Sequence, residues 1–117
     1  MGQKAMPKPT VRPYSRYSRD ALALLGNLIR EGRTANNLTT KALSERAGIS
    51  RALLQRIEKG NPGCAIGAVF EVSAIVGVSL FESDAKTLGL RLQHSLEKKA
   101  LLPKAVRVSK MEVKDDF

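Results

Sequence analysis

One short stretch of this chain combines side chains that bind polyanions with side chains that read bases. Between positions 50 and 59, three cations, a glutamine, a serine and an alanine fall on one face of a helical repeat, and that face carries no acid. These positions are Ser50, Arg51, Ala52, Gln55, Arg56 and Lys59. Arginine donates bidentately to guanine, glutamine pairs with adenine, and an alanine methyl contacts the methyl group of thymine. The pattern therefore predicts a helix that reads base edges in DNA.

A second short helix, with the same kind of N-cap and hydrophobic staple, is expected just before this predicted DNA-reading helix. Thr39 and Ser50 are the expected N-caps, and apolar residues flank each of them at the spacing of a hydrophobic staple. Gly48 lacks a Cβ and therefore permits the left-handed turn that ends the first helix of the pair. The apolar inner face of the pair consists of Leu43, Ala47, Ile49, Leu54 and Ile57. Residues 39–60 are thus predicted to form a helix-turn-helix.

This helix pair has a geometry that suits the major groove, which is about 12 Å wide and admits one α-helix. The inner face fixes the crossing angle, so that the second helix presents its N-terminal side chains to base edges. The first helix points its N-terminus, with unsatisfied amides and a partial positive charge, at the phosphates. Thr39 and Thr40 lie at that N-terminus and are expected to contact the DNA backbone.

The helix-turn-helix is expected to sit within one domain between two flexible ends. Residues 1–17 are predicted to be a flexible basic arm, residues 18–102 the DNA-binding domain with dimerising C-terminal helices, and residues 103–117 a tail. The first helix is expected to have Ser18 as its N-cap and to end near Gly32.

Two further helices are expected after the helix-turn-helix. Residues 66–76 are largely apolar and are predicted to form a helix that is buried on more than one side and ended by Gly77. A fifth helix is expected from residue 83 or 84 to residue 100, with one apolar stripe. The stripe consists of Leu88, Leu92 and Leu96. Residues 78–81, between the two helices, fit either a strand or a turn.

Positive charge is concentrated in the half of the chain that holds the motif. Of the formal net charge of +9, residues 1–60 supply most, with 12 Lys/Arg against four Asp/Glu, whereas residues 61–117 contain eight against seven. Such asymmetry is typical of a protein that binds a polyanion, although a solubilising surface produces the same asymmetry.

Several classes of protein fit the sequence poorly. No apolar run approaches the ~20 residues that span a bilayer, and no signal peptide is evident, so no membrane partner is expected. The single cysteine, Cys64, suits a reducing cytosol, and a cytoplasmic location is expected. No metal, phosphate-loop or nucleophile motif is present. We therefore expect a non-enzyme with no catalytic residue, no cofactor and no metal.

The 22 residues from 39 to 60 resemble the Cro/cI-type, or Xre-type, helix-turn-helix family. Gly48-Ile49-Ser50 and, later, Ile57-Glu58-Lys59-Gly60 stand at the offsets of that family's pattern, and the wider layout of helices extends over residues 18–84. The resemblance implies an all-α, five-helix, lambda-repressor-like DNA-binding domain that regulates transcription.

Carried over position by position, the resemblance implies roles for individual residues. The residues that it implies reach DNA are Ser50, Arg51, Ala52, Gln55 and Arg56. Arg33 is implied to pair with Glu58 as a structural brace. Thr40 replaces a phosphate-contacting glutamine, which removes one long donor. Ala42 replaces the capping-box glutamate, which costs a few tenths of a kcal/mol to ~1 kcal/mol of helix stability.

A narrower resemblance lies downstream and is to HipB-type antitoxins. It rests on Asn61-Pro62, Phe70, and residues 78–84, 102–107 and 112–117. It implies a homodimer that binds a pseudo-palindromic operator, is nucleoid-associated when bound to DNA, and represses its own operon. It also implies a HipA-like kinase toxin as a protein partner. Two alternatives stay open: a free-standing phage-type repressor, and a basic module that binds RNA or an acidic protein.

Overall fold

The computed structural model describes residues 14–106 and contains five α-helices within them. They are α1 (Arg16–Ala35), α2 (Thr40–Ala47), α3 (Arg51–Glu58), α4 (Ile66–Val76) and α5 (Ala85–Ala100). Residues 14–106 contain no strand, which confirms the predicted all-α, five-helix fold. No helix in this part of the chain combines the length and apolarity needed to cross a membrane. Helices α1–α4 belong to one compact unit that ends at Leu80, and α5 belongs to a second that begins at Phe81.

The first unit encloses an apolar core to which all four of its helices contribute. The buried apolar side chains are Ile29, Leu43, Leu54, Ile57, Val72 and Val76. Ala47 and Ile49 are partly buried and pack against this core, so the predicted inner face of the helix-turn-helix is confirmed. Burying each Leu or Ile contributes about 1.5–3 kcal/mol, and these side chains fix the crossing of α2 and α3.

The helices of the first unit end in a common hydrogen-bonding motif. At the end of α2, Gly48 is left-handed (φ 70°), its N–H donates to the Glu45 carbonyl at 3.2 Å, and the Ile49 N–H donates to the Ser44 carbonyl at 3.0 Å. This Schellman motif closes the last turn and directs the following apolar residue into the core. The same pair of bonds occurs around Asn37, Gly60 and Gly77, each left-handed. The predicted ends at Gly48 and Gly77 are confirmed.

Helix α1 starts earlier than the sequence predicted. Its N-cap is Ser15, whose Oγ accepts a hydrogen bond from the Ser18 N–H at 3.1 Å. Ser18 lies inside the first turn, so its assignment as the N-cap was wrong. The earlier start is stabilised by Arg19, whose Nη1 donates to the Tyr14 carbonyl at 2.7 Å. The remainder of the predicted basic arm, residues 1–13, lies outside the described residues, as do residues 107–117 of the predicted tail.

Helix α1 also continues beyond its predicted end near Gly32 and ends at Ala35. Gly32 lies inside the helix, and the left-handed residue that follows the helix end is Asn37. A Cβ built at Gly32 would lie 2.8 Å from the Val76 carbonyl oxygen and 3.0 Å from the Val76 Cβ. The glycine therefore lets α1 pack tightly against the end of α4.

Helix α4 has the predicted bounds but is buried on one side only. Val72, Ser73 and Val76 are buried, whereas Ile66 is 72% exposed and Phe70 is 39% exposed. The expectation of burial on more than one side is therefore wrong, since α1 and α2 cover a single face of the helix within the first unit. Residues 78–81 form no strand, and the Val78 N–H donates to the Ser73 carbonyl at 2.8 Å to close the turn.

In the second unit, α5 is an amphipathic helix whose N-cap, Asp84, accepts a side-chain hydrogen bond. The Asp84 carboxylate accepts hydrogen bonds from the Thr87 N–H at 3.0 Å and the Thr87 hydroxyl at 2.8 Å. These bonds hold the pKa of Asp84 below its ordinary value, and the hydroxyl contributes most. No residue of α5 is buried.

Candidate nucleic-acid interface

The candidate site is the outer face of α3, and every residue predicted there is exposed. These residues are Ser50, Arg51, Ala52, Gln55, Arg56 and Lys59. Leu54 and Ile57 point the other way, into the core. Among residues 14–106, no acidic side chain lies within ion-pairing distance of Arg51, Arg56 or Lys59. The cations therefore face solvent with their charge uncompensated.

The single acid of α3, Glu58, is removed from this face by Arg33. Arg33 Nε donates to Glu58 Oε2 at 2.7 Å and Nη2 donates to Oε1 at 3.1 Å, a bidentate pair whose side chains are 12% and 9% exposed. The hydrogen bond to Glu58 and its negative charge raise the pKa of Arg33 against the opposing effect of burial. The ion pair that the resemblance implies is thus present, and it neutralises the carboxylate nearest the outer face.

Two hydroxyls fix the starts of α2 and α3. Thr39 Oγ1 accepts from the Ala42 N–H at 3.0 Å, and Ser50 Oγ accepts from the Leu53 N–H at 3.0 Å. Both predicted N-caps are therefore confirmed. Each hydroxyl keeps its own proton available for donation, so it can cap the helix and bind a phosphate oxygen at the same time.

Helix α2 contributes further positive charge that the motif did not single out. Lys41 in its first turn and Arg46 in its last turn are both exposed. Thr40, the predicted phosphate contact in place of a glutamine, is partly buried at the start of the helix. Lys41 is therefore the longer cationic donor available at the N-terminus of α2. Lys41 could have been identified from the sequence by considering the cations of both helices of the motif rather than those of α3 alone.

Gly26, which the sequence pattern did not single out, sets how closely α1 approaches α3. A Cβ built at Gly26 would lie 2.6 Å from both the Ile57 and the Glu58 carbonyl oxygens. Gly60 makes a matching approach, since its Cβ would lie 2.9 Å from the Ala23 Cα. Only glycine fits at these distances. A glycine inside the leucine-rich pattern of α1 is the sequence signal for such a contact.

The geometry describes a rigid helix with a basic, hydrogen-bonding face on a fixed support. The side chains on that face can donate to base edges and phosphates, and none forms part of a nucleophile or general-base pair. Within the part of the chain described, no three His, Cys, Asp or Glu side chains are grouped to hold a metal ion.

Comparison with known protein families identifies the same segment. Residues 29–82 match the family model described as helix-turn-helix, of the Xre/Cro type. The match runs from the last two turns of α1 to the residues after α4, and it includes both Arg33 and Glu58. It indicates a DNA-binding transcription regulator. Searches of the curated proteins and of the solved structures found no match.

Proposed function

We propose that this chain is a sequence-specific transcriptional repressor that inserts α3 into the major groove of double-stranded DNA. The observation that supports this proposal most is the exposed, acid-free outer face of α3, held in place by the Arg33–Glu58 pair. In this pose Arg51 donates bidentately to a guanine, Gln55 pairs with an adenine, and the Ala52 methyl contacts a thymine methyl.

The remaining residues of the interface hold the DNA backbone. The Ser50 hydroxyl, Arg56 and Lys59 donate to phosphates beside the groove, while Thr39 and Thr40 do so at the N-terminus of α2. The free amides and the dipole of that helix favour the negative charge. Backbone contacts fix register and supply affinity, whereas the base contacts supply specificity.

The proposed binding unit is a homodimer. Helix α3 has eight residues and reaches few base pairs alone, so a second copy is needed for operator affinity. A two-fold dimer places its reading helices in successive major grooves about 34 Å apart. The operator is therefore pseudo-palindromic, and the bound protein is associated with the nucleoid.

The test begins with selection of binding sites from a library of randomised DNA duplexes, using the full chain. Selected sites should converge on two inverted half-sites whose centres are one helical turn apart. Hydroxyl-radical footprinting should show protection with dyad symmetry. A library that yields no consensus, with affinity that depends only on salt, would instead indicate a module that binds polyanions such as RNA, and would contradict the proposal.

We further propose that the repressor is the antitoxin of a HipBA-like system, binding a HipA-like kinase toxin and repressing its own operon. The support is the similarity of Asn61-Pro62, Phe70 and residues 78–84 to HipB-type antitoxins. Ile66 on α4, which is 72% exposed, adds apolar surface of the kind that a protein partner covers.

Deletion of residues 104–117 separates the antitoxin from a free-standing phage-type repressor. If the tail docks on a kinase toxin encoded beside this chain, the deletion abolishes neutralisation of the toxin's growth arrest and leaves operator affinity unchanged. The absence of a kinase-like neighbour, or full neutralisation by the truncated chain, contradicts tail-mediated antitoxin activity. Either result leaves the DNA-binding proposal intact.

A further inference from the structure

One side of α1 carries a row of residues that begins and ends with an arginine. At about 100° per residue, the members of this row fall within about 60° of one another around the helix. They are Arg19, Ala23, Gly26 and Arg30, of which the two arginines and the alanine are exposed. Within residues 14–106, neither arginine forms an ion pair. The row therefore carries two positive charges that no acid of the described chain pairs with.

The middle of this row lies against the C-terminal end of α3. A Cβ built at Gly26 would lie 2.6 Å from the Ile57 and Glu58 carbonyl oxygens. A Cβ built at Gly60, just after α3, would lie 2.9 Å from the Ala23 Cα. Backbone meets backbone at both places, so this side of α1 is fixed relative to α3.

The two arginines flank this contact. Arg19 precedes Ala23 by one helical turn. Arg30 likewise follows Gly26 by one turn, so each arginine lies about 6 Å along the axis from the contact. Lys59, beside the contact at the end of α3, is an exposed cation on the outer face of that helix. Positive charge therefore continues from the outer face of α3 onto α1.

The acids of α1 lie away from the row. Asp20 and Glu31 lie about 100° and about 120° around the helix from Arg19. The Asp20 carboxylate lies 3.7 Å from the Arg16 guanidinium, and Glu31 accepts a hydrogen bond from the Asn27 side chain at 3.2 Å. The side of α1 that continues from α3 is thus a side on which a phosphate backbone meets cations and no acid.

The Arg19 side chain is already held in one position. Its Nη1 donates to the Tyr14 carbonyl at 2.7 Å. A guanidinium has further donors in the same plane, and those of Arg19 form no hydrogen bond within residues 14–106. A side chain that is already ordered loses less conformational entropy when it binds an anion.

We propose that Arg19 and Arg30 bind phosphates of the DNA backbone beyond the groove that α3 enters. The two residues are about 16 Å apart along the axis of α1, so they contact separate phosphates. Residues 16–28 precede the segment that matches the helix-turn-helix family, so the family pattern does not account for Arg19. The proposal rests on the repressor function proposed above and deepens it by extending the surface that binds DNA.

The first test is the salt dependence of binding, measured by fluorescence anisotropy with the full chain on its selected operator and on a random duplex. Arg19→Gln and Arg30→Gln should each reduce the slope of log affinity against log salt concentration by about 0.9, because each removes one phosphate contact. Both DNAs should lose affinity equally, since phosphate contacts carry no sequence information. An unchanged slope in either variant overturns the proposal.

Two further variants separate a local contact from net charge and from folding. Arg19→Gln/Glu31→Gln has the net charge of the wild type, since it loses one cation and one acid, and it should keep the reduced slope. Arg19→Lys keeps the charge without the planar guanidinium, and its slope should stay near that of the wild type. Recovery of the slope in the charge-balanced variant, or a reduced slope in Arg19→Lys, overturns the proposal.

The second test locates the contacted phosphates by ethylation interference on the selected operator. In the wild type, ethylation should interfere at phosphates beside the major groove that α3 enters and at further phosphates outside it. Arg19→Gln should lose the interference at one outer phosphate in each half-site, and Arg30→Gln should lose it at another. Identical patterns in the variants and the wild type overturn the proposal.

These measurements fail separately from the proposed function. A chain that selects an operator, while both variants keep the wild-type slope, retains the repressor and overturns the contact from α1. A chain that selects no operator, while the slope on random DNA falls in both variants, overturns the repressor and supports the contact.

Discussion

Arg33 and Glu58 join the C-terminal ends of α1 and α3 through two hydrogen bonds of 2.7 Å and 3.1 Å. The same guanidinium donates from Nη1 to the Leu38 carbonyl at 3.1 Å, beyond the end of α1. A cation placed at two helix C-termini interacts favourably with both dipoles. One side chain therefore ties α3 to α1 and neutralises the single acid of α3.

Breaking this pair should destabilise the fold strongly. Arg33→Met leaves the nearly buried Glu58 carboxylate without its partner, and the expected loss in free energy of unfolding is about 3 kcal/mol. The measurement is urea unfolding of the full chain, followed by circular dichroism. The double variant Arg33→Met/Glu58→Met should recover most of the loss, because no charge then remains buried. A loss below about 0.5 kcal/mol in Arg33→Met would contradict the bracing role.

Gly26→Ala should lower stability because its methyl group meets two backbone carbonyl oxygens at 2.6 Å. The backbone cannot yield as a flexible side chain can, so the expected cost is about 1–3 kcal/mol. Gly67→Ala is the matched control, since a Cβ there has nothing within 4 Å. It should be neutral or stabilising by up to about 1 kcal/mol. Equal thermal midpoints for the two variants would refute the close approach of α1 and α3.

Two substitutions of Ser50 should distinguish its role as a helix N-cap from its role in DNA binding. Ser50→Ala removes the acceptor for the Leu53 N–H and should cost about 1 kcal/mol of stability. Ser50→Asp keeps a good cap but places a negative charge on the outer face of α3. It should therefore retain stability while losing roughly tenfold in affinity for DNA. Wild-type affinity in a stable Ser50→Asp variant would show that the start of α3 does not approach phosphate.

The start of α5 should weaken in acid. Hydrogen bonds from the Thr87 hydroxyl and N–H hold the pKa of Asp84 below its ordinary value of 3.8. Because the folded-state pKa is depressed, this capping contribution is fully present above the ordinary value and is lost as pH falls through the folded-state pKa. Cα chemical shifts of residues 85–88, followed by NMR, should report the loss. Asp84→Asn caps without titrating, so a similar acid response in that variant would exclude Asp84 as the cause.

The helix-turn-helix could be predicted because its helix starts and its turn depend on interactions between residues close in sequence. N-caps at Thr39 and Ser50, and a left-handed glycine at position 48, act over a few neighbouring residues, so a single sequence contains the whole signal. The Arg33–Glu58 pair spans 25 positions and was expected only through the family resemblance. The start of α1 was misplaced because Ser15 and Ser18 are equally good caps by type, and the choice depends on bonds such as that from Arg19 to Tyr14.

Tertiary contacts account for what the sequence did not predict. Gly26 and Gly32 resemble helix breakers, yet each serves the approach of another helix whose position the local sequence does not determine. Helix α4 is apolar enough to be buried all round, but the first unit covers only the side that carries Val72 and Val76. The roles of the α3 side chains in reading bases remain predictions that DNA-binding measurements must test.

The most direct test of the central claim is the ratio of affinities for the selected operator and for random DNA, measured at one salt concentration. Because a bidentate base contact is worth about 1–3 kcal/mol, Arg51→Ala/Gln55→Ala should lower this ratio roughly a hundredfold. Arg30→Ala, which removes an exposed cation from α1 outside the helix-turn-helix, should leave the ratio unchanged. If the double variant instead loses affinity equally for both DNAs, α3 binds phosphates without reading sequence, and the account is contradicted.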